Sequence, residues 1–176
     1  MELRKKIQYT LGDYIAFNFF YLKKRLIWIP VLLVIGFPAV TLVSDLLQGD
    51  TAWLMMLLAT LVIAVVLAGL MTLINILSVR HAAKKQYQSS RAMQAGSDLL
   101  VDDTGVYESS EFGSSVIKWE DVYKAAESDT AVYIFSSRLQ AFLIPKRLIT
   151  QAEDSTLRAL IQNHLPPEKV KLRRTV

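Results

Sequence analysis

LIWIPVLLVIGFPAVTLVS, residues 26–44, runs for 19 positions without a formally charged side chain, and TAWLMMLLATLVIAVVLAGLMTLINILSV, residues 51–79, runs for 29. A helix crossing the hydrocarbon core of a bilayer needs about 20 largely apolar residues, and globular core helices are rarely charge-free for that long. The two runs therefore predict a transmembrane hairpin over residues 26–79, turning through a short stretch that contains Asp45 and Asp50. Pro30, Gly36 and Pro38 interrupt the first run, as such residues do in membrane helices, and a kink near Pro38 is expected. The second run would extend about 43 Å as a helix against about 30 Å of hydrocarbon, so it must tilt or project. Trp28 and Trp53 fall near the ends of the runs, where indole rings favour the headgroup boundary. Ala64 and Ala68 offer a small-residue face on which the first helix can pack.

The distribution of apolar residues, more than their total, carries this reading, because 52% hydrophobic residues in a 176-residue chain also suits a soluble domain. Outside the two runs charges recur every few residues. The absence of cysteine excludes disulfides, thiolate ligands and cysteine nucleophiles. No small-residue cleavage pattern closely follows the first apolar run, so a retained helix is expected instead of a signal peptide.

Residues 1–25 contain Arg4, Lys5, Lys6, Lys23, Lys24 and Arg25 against Glu2 and Asp13, and the second run exits into Arg80, Lys84 and Lys85. The connecting turn has no basic residue. Lysine and arginine are retained on the cytoplasmic side, which predicts both termini inside. Thr10 and Asp13 can cap a helix whose segment LGDYIAFNFFYLKKR combines large apolar side chains with a basic end. It reads as an interfacial helix with Phe17, Phe19, Phe20 and Tyr21 at the apolar boundary and Lys23, Lys24 and Arg25 at lipid phosphates, as a helix packed against the distal domain, or simply as the cytosolic lead-in to the first membrane helix.

Residues 80–97 read as a helical extension and linker. From Asp98 the pattern changes to short β-prone segments, LLV, VYES, SVIKW, AVYIF and LQAFLI, separated by DDTG and Gly113 turns and ending at Pro145. Such close spacing predicts an antiparallel meander. Thr150 and Glu153 have capping-box spacing, and Leu157, Leu160, Ile161 and Leu165 form the stripe of a helix that ends before Pro166-Pro167. The expectation is an α+β membrane protein: a two-helix hairpin plus a small antiparallel β domain, residues 98–165, capped by a C-terminal helix and followed by a basic tail, residues 166–176.

The order of a polar lead-in, two apolar helices, the turn DDTGV, the motif VIKWEDVYK, IPKR at Ile144 to Arg147 and a striped final helix resembles the bacterial YcxB-like membrane proteins. Its specific motifs lie at residues 102–124 and 144–147. The C-terminal portion is similar to bacterial pleckstrin-homology-like domains, in which one helix caps a curved sheet. The resemblance implies that Leu3 to Tyr9 join the distal sheet, making the hairpin an insertion near the start of the domain. It implies no biochemical activity, but does imply a bacterial cytoplasmic membrane location.

No phosphate loop, dinucleotide glycine pattern, zinc-binding helix or nucleophile elbow is present. His81 and His164 stand far apart without acidic partners at helical spacing, Asp102-Asp103 reads as a turn, and adjacent Glu120-Asp121 would diverge on a strand. No catalytic residue, metal site or cofactor is expected. Trp119 and Tyr123 can line a recognition pocket with Lys118 and Lys124 available for an acidic ligand, although Trp119 is better suited to fill the core of a small sheet domain; Lys146 and Arg147, after Pro145, can contact lipid phosphate or occupy a solvated turn. Residues 98–165 carry a formal charge of −5 and residues 166–176 carry +3, so Lys171, Arg173 and Arg174 are the expected contacts to anionic lipid. Nucleic acid is a less economical partner for that tail. These features fit a non-enzymatic, membrane-tethered module that presents its domain to a protein partner or to another copy of itself. An accessory subunit of a transport complex, or a homo-oligomer that binds anionic lipid, is the alternative.

Overall fold

The computed structural model describes residues 1–49 and 51–173. The chain divides into two compact units, Met1–Phe17 with Lys84–Val176 and Asn18–Ala83. Two long helices connect them in sequence: α1, Leu11–Gln48, and α2, Trp53–Ser89.

Local chemistry sets the ends of α1. The Thr10 hydroxyl accepts from the Asp13 backbone N–H at 3.2 Å, and Asp13 Oδ2 accepts from the Thr10 backbone N–H at 2.8 Å. This reciprocal cap satisfies donors that the first helical turn leaves open. At the other end Gly49 adopts φ +68°, a conformation that glycine reaches without a Cβ penalty. Between these ends α1 is continuous through Pro30 and Pro38. The segment LGDYIAFNFFYLKKR is thus the opening of α1, as its reading as a lead-in to the first long helix has it, and not a separate helix. Likewise, residues 80–89 continue α2, while a short helix α3, Arg91–Ala95, occupies the rest of the expected linker.

Within Asn18–Ala83 the buried positions are few and small: Pro38, Ala64, Ala68 and Ala83. Ala64 and Ala68 are buried as their spacing predicts, and Thr41 Oγ1 reaches Thr60 Oγ1 at 3.3 Å across the pair. Large apolar side chains instead point outward on both helices, including Trp28, Leu32, Val40, Met55 and Val66.

The other unit reverses that arrangement. One four-stranded sheet has the order β1–β2–β3–β4, formed by Glu2–Ile7, Ser97–Asp102, Gly105–Ser110 and Gly113–Lys118. The second comprises β5, Lys124–Glu127, β6, Ala131–Phe135, β7, Ala141–Pro145, and β8, Val170–Lys171, in the order β7–β6–β5–β8. The expected single meander is therefore split in two. A 3₁₀ turn at Trp119–Asp121 breaks it, putting Glu120 and Asp121 on a turn and not on a strand.

All pairings are antiparallel except β5 with β8. Residues 166–171 are consequently not part of a free tail: a 3₁₀ turn at Pro167–Lys169 leads β8 alongside β5, opposing Val170 to Ala125. Arg174 lies outside the described residues.

Strand β1 pairs with β2 through all six of its residues, from Glu2 opposite Asp102 to Ile7 opposite Ser97. Leu3 and Ile7 enter the core, while Lys5 between them reaches Glu153 at 2.9 Å. The mixed alternation at the N-terminus is thus an inward strand face whose one lysine finds a carboxylate. The helix pair is inserted between β1 and β2.

Helix α4, Gln151–His164, begins with the expected capping box at Thr150 and Glu153. Its Leu157, Leu160 and Ile161 are fully buried and share one core with Leu3, Val101, Val106, Trp119, Ile134 and Ile144 from both sheets. Two ion pairs join distant parts of the chain. Arg147, three residues before Thr150, bonds the α1 cap acid Asp13, and Lys5 in β1 bonds the α4 cap acid Glu153. Each helix start is thereby tied to the approach to the other.

Candidate functional site

The residues of the VIKWEDVYK motif separate into different environments. Trp119 is buried and donates its indole N–H to the Asp102 carbonyl at 2.8 Å. Its ring stacks on His164, with centroids 5.3 Å apart, so the indole fills the core and braces the end of α4. Tyr123 is exposed, and the Lys124 ammonium lies over the Phe135 ring at 4.4 Å from its centroid. Asp102 Oδ1 accepts from the backbone N–H groups of Thr104 and Gly105, forming the turn expected of DDTG. The Thr104 hydroxyl and these two N–H groups hold the Asp102 carboxyl below its usual range.

Lys146 and Arg147 are paired inside the domain. Glu127, with its side chain almost fully enclosed, binds Lys146, the Arg158 guanidinium at 2.5 Å and the Arg173 backbone N–H at 2.7 Å. Burial pushes its carboxyl upward, but these donors outweigh burial and leave it below the usual range. Arg147 bridges Asp13 and the Gln8 carbonyl. Arg173 also pairs with Asp129 through its side chain, while Lys171 is exposed on β8. Lys23, Lys24 and Arg25 are exposed on α1.

His164, which has no acidic neighbour in its own helix, faces Asp103 from the β2–β3 turn at 3.3 Å, and the N-terminal amine bonds the other oxygen of that carboxylate at 2.6 Å. Hydrogen bonds from the amine and His164 hold Asp103 below the usual carboxylate range. His81 is exposed on α2. Among the described residues no three His, Cys, Asp or Glu side chains group to hold a metal ion.

A cavity of about 160 Å³ forms where the β7 edge meets β3, and no sequence motif announced it. Tyr9 follows β1, Tyr14 and Phe17 come from the first turns of α1, Tyr87 from the end of α2, and Met93 from α3. Ala141 and Leu143 of β7 and Glu108 of β3 complete the lining. Phe17 packs on Tyr133 at 5.6 Å between ring centroids, covering the outer face of β6. That second covered face explains why β6, AVYIF, is an unbroken apolar run with every residue buried.

Glu108 lies on the core-facing side of β3, two residues after Val106 and opposite Leu99. Its Oε1 accepts from Ser97 Oγ at 2.6 Å and from the Tyr9 phenol at 2.9 Å, while Oε2 has no hydrogen-bond partner among the described residues. The Tyr9 phenol also lies 3.2 Å from the Leu143 carbonyl, and Tyr87 donates to the Tyr9 carbonyl at 3.0 Å. Burial first, and the Glu108 charge second, push the Tyr9 phenol well above its ordinary pKa, keeping it protonated as a donor. The cavity is therefore a largely apolar, aromatic-lined space with a half-used carboxylate and no basic side chain in its lining.

The β2-to-α4 region also carries a family signature. The YcxB-like protein family matches residues 101–161. That YcxB-like segment contains all of DDTGV, VIKWEDVYK and IPKR, and spans β3 to β7 with most of α4. It excludes β1, the helix pair and β8, leaving more than half of the chain outside the match. No curated protein and no solved structure matches the chain.

Proposed function

We propose that the chain is a non-enzymatic, membrane-tethered interaction module whose helix pair crosses the bacterial cytoplasmic membrane twice, with both ends inside. The observation that carries this reading is the outward display of apolar side chains along α1 and α2: Leu32 is 65% exposed, Val40 71% and Met55 75%. Each large aliphatic side chain left in water forgoes about 1.5–3 kcal/mol of burial, whereas lipid removes that penalty. The polar groups on α2 are consistent with such surroundings. Thr60, Thr72 and Asn75 donate to carbonyls of their own helix, satisfying these groups locally. This favours a packing hairpin over a polar path through one copy.

The YcxB-like match and the closed core of the remaining unit support an architecture in which the pleckstrin-homology-like domain serves as the cytoplasmic interaction element. Among the described residues strand β4 pairs with β3 alone, and Ser114, Ser115 and Val116 along it are exposed. An unpaired sheet edge can take up an extended partner strand. Lys23, Lys24 and Arg25 supply the basic flank expected at the inner leaflet.

Because the protein contains no cysteine, single cysteines test topology without background thiols. Gln48→Cys should react with an impermeant maleimide in intact cells, whereas Glu168→Cys should react only after permeabilisation. Reversed labelling would overturn the orientation, and release of the chain by alkaline carbonate would overturn membrane insertion. A photo-crosslinking side chain at Val116 should give a protein adduct in native membranes; recovery of monomer alone would remove the interaction role while leaving the topology intact.

A further inference from the structure

We infer that the cavity beside Glu108 is a binding site for a small alkylated ammonium cation. Four aromatic rings, those of Tyr9, Tyr14, Phe17 and Tyr87, line one space with this carboxylate. Ser97 and Tyr9 hold Oε1 in place, leaving Oε2 without a donor among the described residues. An anionic oxygen among aromatic and aliphatic walls complements a cation whose outer surface is apolar. The rings provide favourable electrostatics for such a cation, and quaternary ammonium groups are recognised in aromatic surroundings of this kind.

The chemistry discriminates among cations. A hard divalent metal requires about six oxygen ligands, which this lining does not assemble. A primary ammonium brings three donors, yet Glu108 Oε2 is the free anionic acceptor here. An alkylated ammonium has fewer donors or none, sheds water more readily and fills apolar space. Size agrees as well: the cavity is about 160 Å³, while a cavity of about 150 Å³ admits benzene, whose bulk is similar to tetramethylammonium.

The test uses the full chain in a maltoside detergent and isothermal titration with tetramethylammonium chloride at fixed ionic strength. Saturable binding is expected, with the neutral isostere neopentane binding at least about tenfold more weakly. Glu108→Gln can still accept from Ser97 and Tyr9 but loses the charge, and should weaken tetramethylammonium binding about tenfold. Ala141→Phe, which fills the cavity without altering the carboxylate, should abolish it. Equal binding of the neutral isostere, an unchanged affinity in Glu108→Gln, or no saturable binding to the wild-type chain would overturn the assignment. Repeating the titration in nanodiscs separates the source of the cation. Competition by phosphatidylcholine, absent with phosphatidylglycerol, would support the site and make the ligand a lipid headgroup; equal affinity in both would support a free cation.

Discussion

The helix pair and the β unit solve opposite packing problems with similar hydrophobic residues. Along α1 and α2 the small Ala64 and Ala68 are buried while Leu32, Val40 and Met55 face outward; in the β unit Leu157, Leu160 and Ile161 face inward. The contrast is informative because burial within the chain organises the β unit, whereas the helix pair leaves most of its large apolar side chains exposed. Glycine makes the same distinction at atomic scale. A Cβ at Gly105, the first residue of β3, would meet the Ile117 carbonyl oxygen at 2.2 Å, whereas one at Gly69 in α2 meets nothing within 4 Å.

Substituting those two glycines should produce the largest difference between the regions. Gly105→Ala forces the β3 and β4 backbones apart and should destabilise the β unit by more than about 3 kcal/mol. Gly69→Ala should be neutral or raise helix stability by up to about 1 kcal/mol. Region-resolved hydrogen exchange on the full chain in detergent reads both changes. Unchanged protection of β3 and β4 in Gly105→Ala would break the claimed close approach.

A smaller effect should follow from the buried charge cluster. Glu127→Gln leaves Lys146 and Arg158 without their shared anion and should cost the β unit about 3 kcal/mol. Its pH dependence has a definite sign. The folded Glu127 carboxyl is held below its unfolded value, so its stabilising contribution is present above an unfolded pKa of about 4.3 and disappears as pH falls through the folded pKa. Thermal unfolding should therefore be nearly flat between about pH 7 and 5 and decline below about 4.5, with a shallower acid decline in Glu127→Gln. The same decline in the variant would assign the acid sensitivity to other carboxylates, including Asp13, which Arg147 and the Thr10 cap hold below the usual range against the opposing effect of burial.

Local features were the easiest to read from sequence. The apolar runs announced the long helices because charge spacing is a short-range signal, and Thr150, Glu153 and the leucine stripe announced α4 because its cap and buried face lie within fourteen residues. β1 was harder: Leu3 and Ile7 face the core but Lys5 on that side is satisfied only by Glu153, far along the chain. β8 was obscured because VKLRR reads as a solvated basic run, although Val170 and Lys171 pair with β5 and Arg173 bonds Glu127 and Asp129. The cavity had no local signal at all. Its rings and Glu108 come from separate segments that only the fold brings together.

The smallest expected effect compares two helix starts of the same design. Thr10 and Asp13 cap α1, Thr150 and Glu153 cap α4, and each acid also meets a cation from a distant segment. Replacing either threonine by alanine removes a hydroxyl acceptor from a first-turn N–H while leaving the acid and its cation present. Thr150→Ala should cost about 1 kcal/mol and lower protection throughout α4, because that short helix covers the core shared by both sheets. Thr10→Ala should carry a similar local cost, but its loss of protection should stay near the first turns of α1 and not spread through the long apolar run, whose interior hydrogen bonds do not depend on that cap. Hydrogen exchange across α1 tests the distinction: loss extending beyond Pro30 would mean that the β unit and helix pair unfold cooperatively, whereas loss confined to the first turns would preserve their different modes of stabilisation.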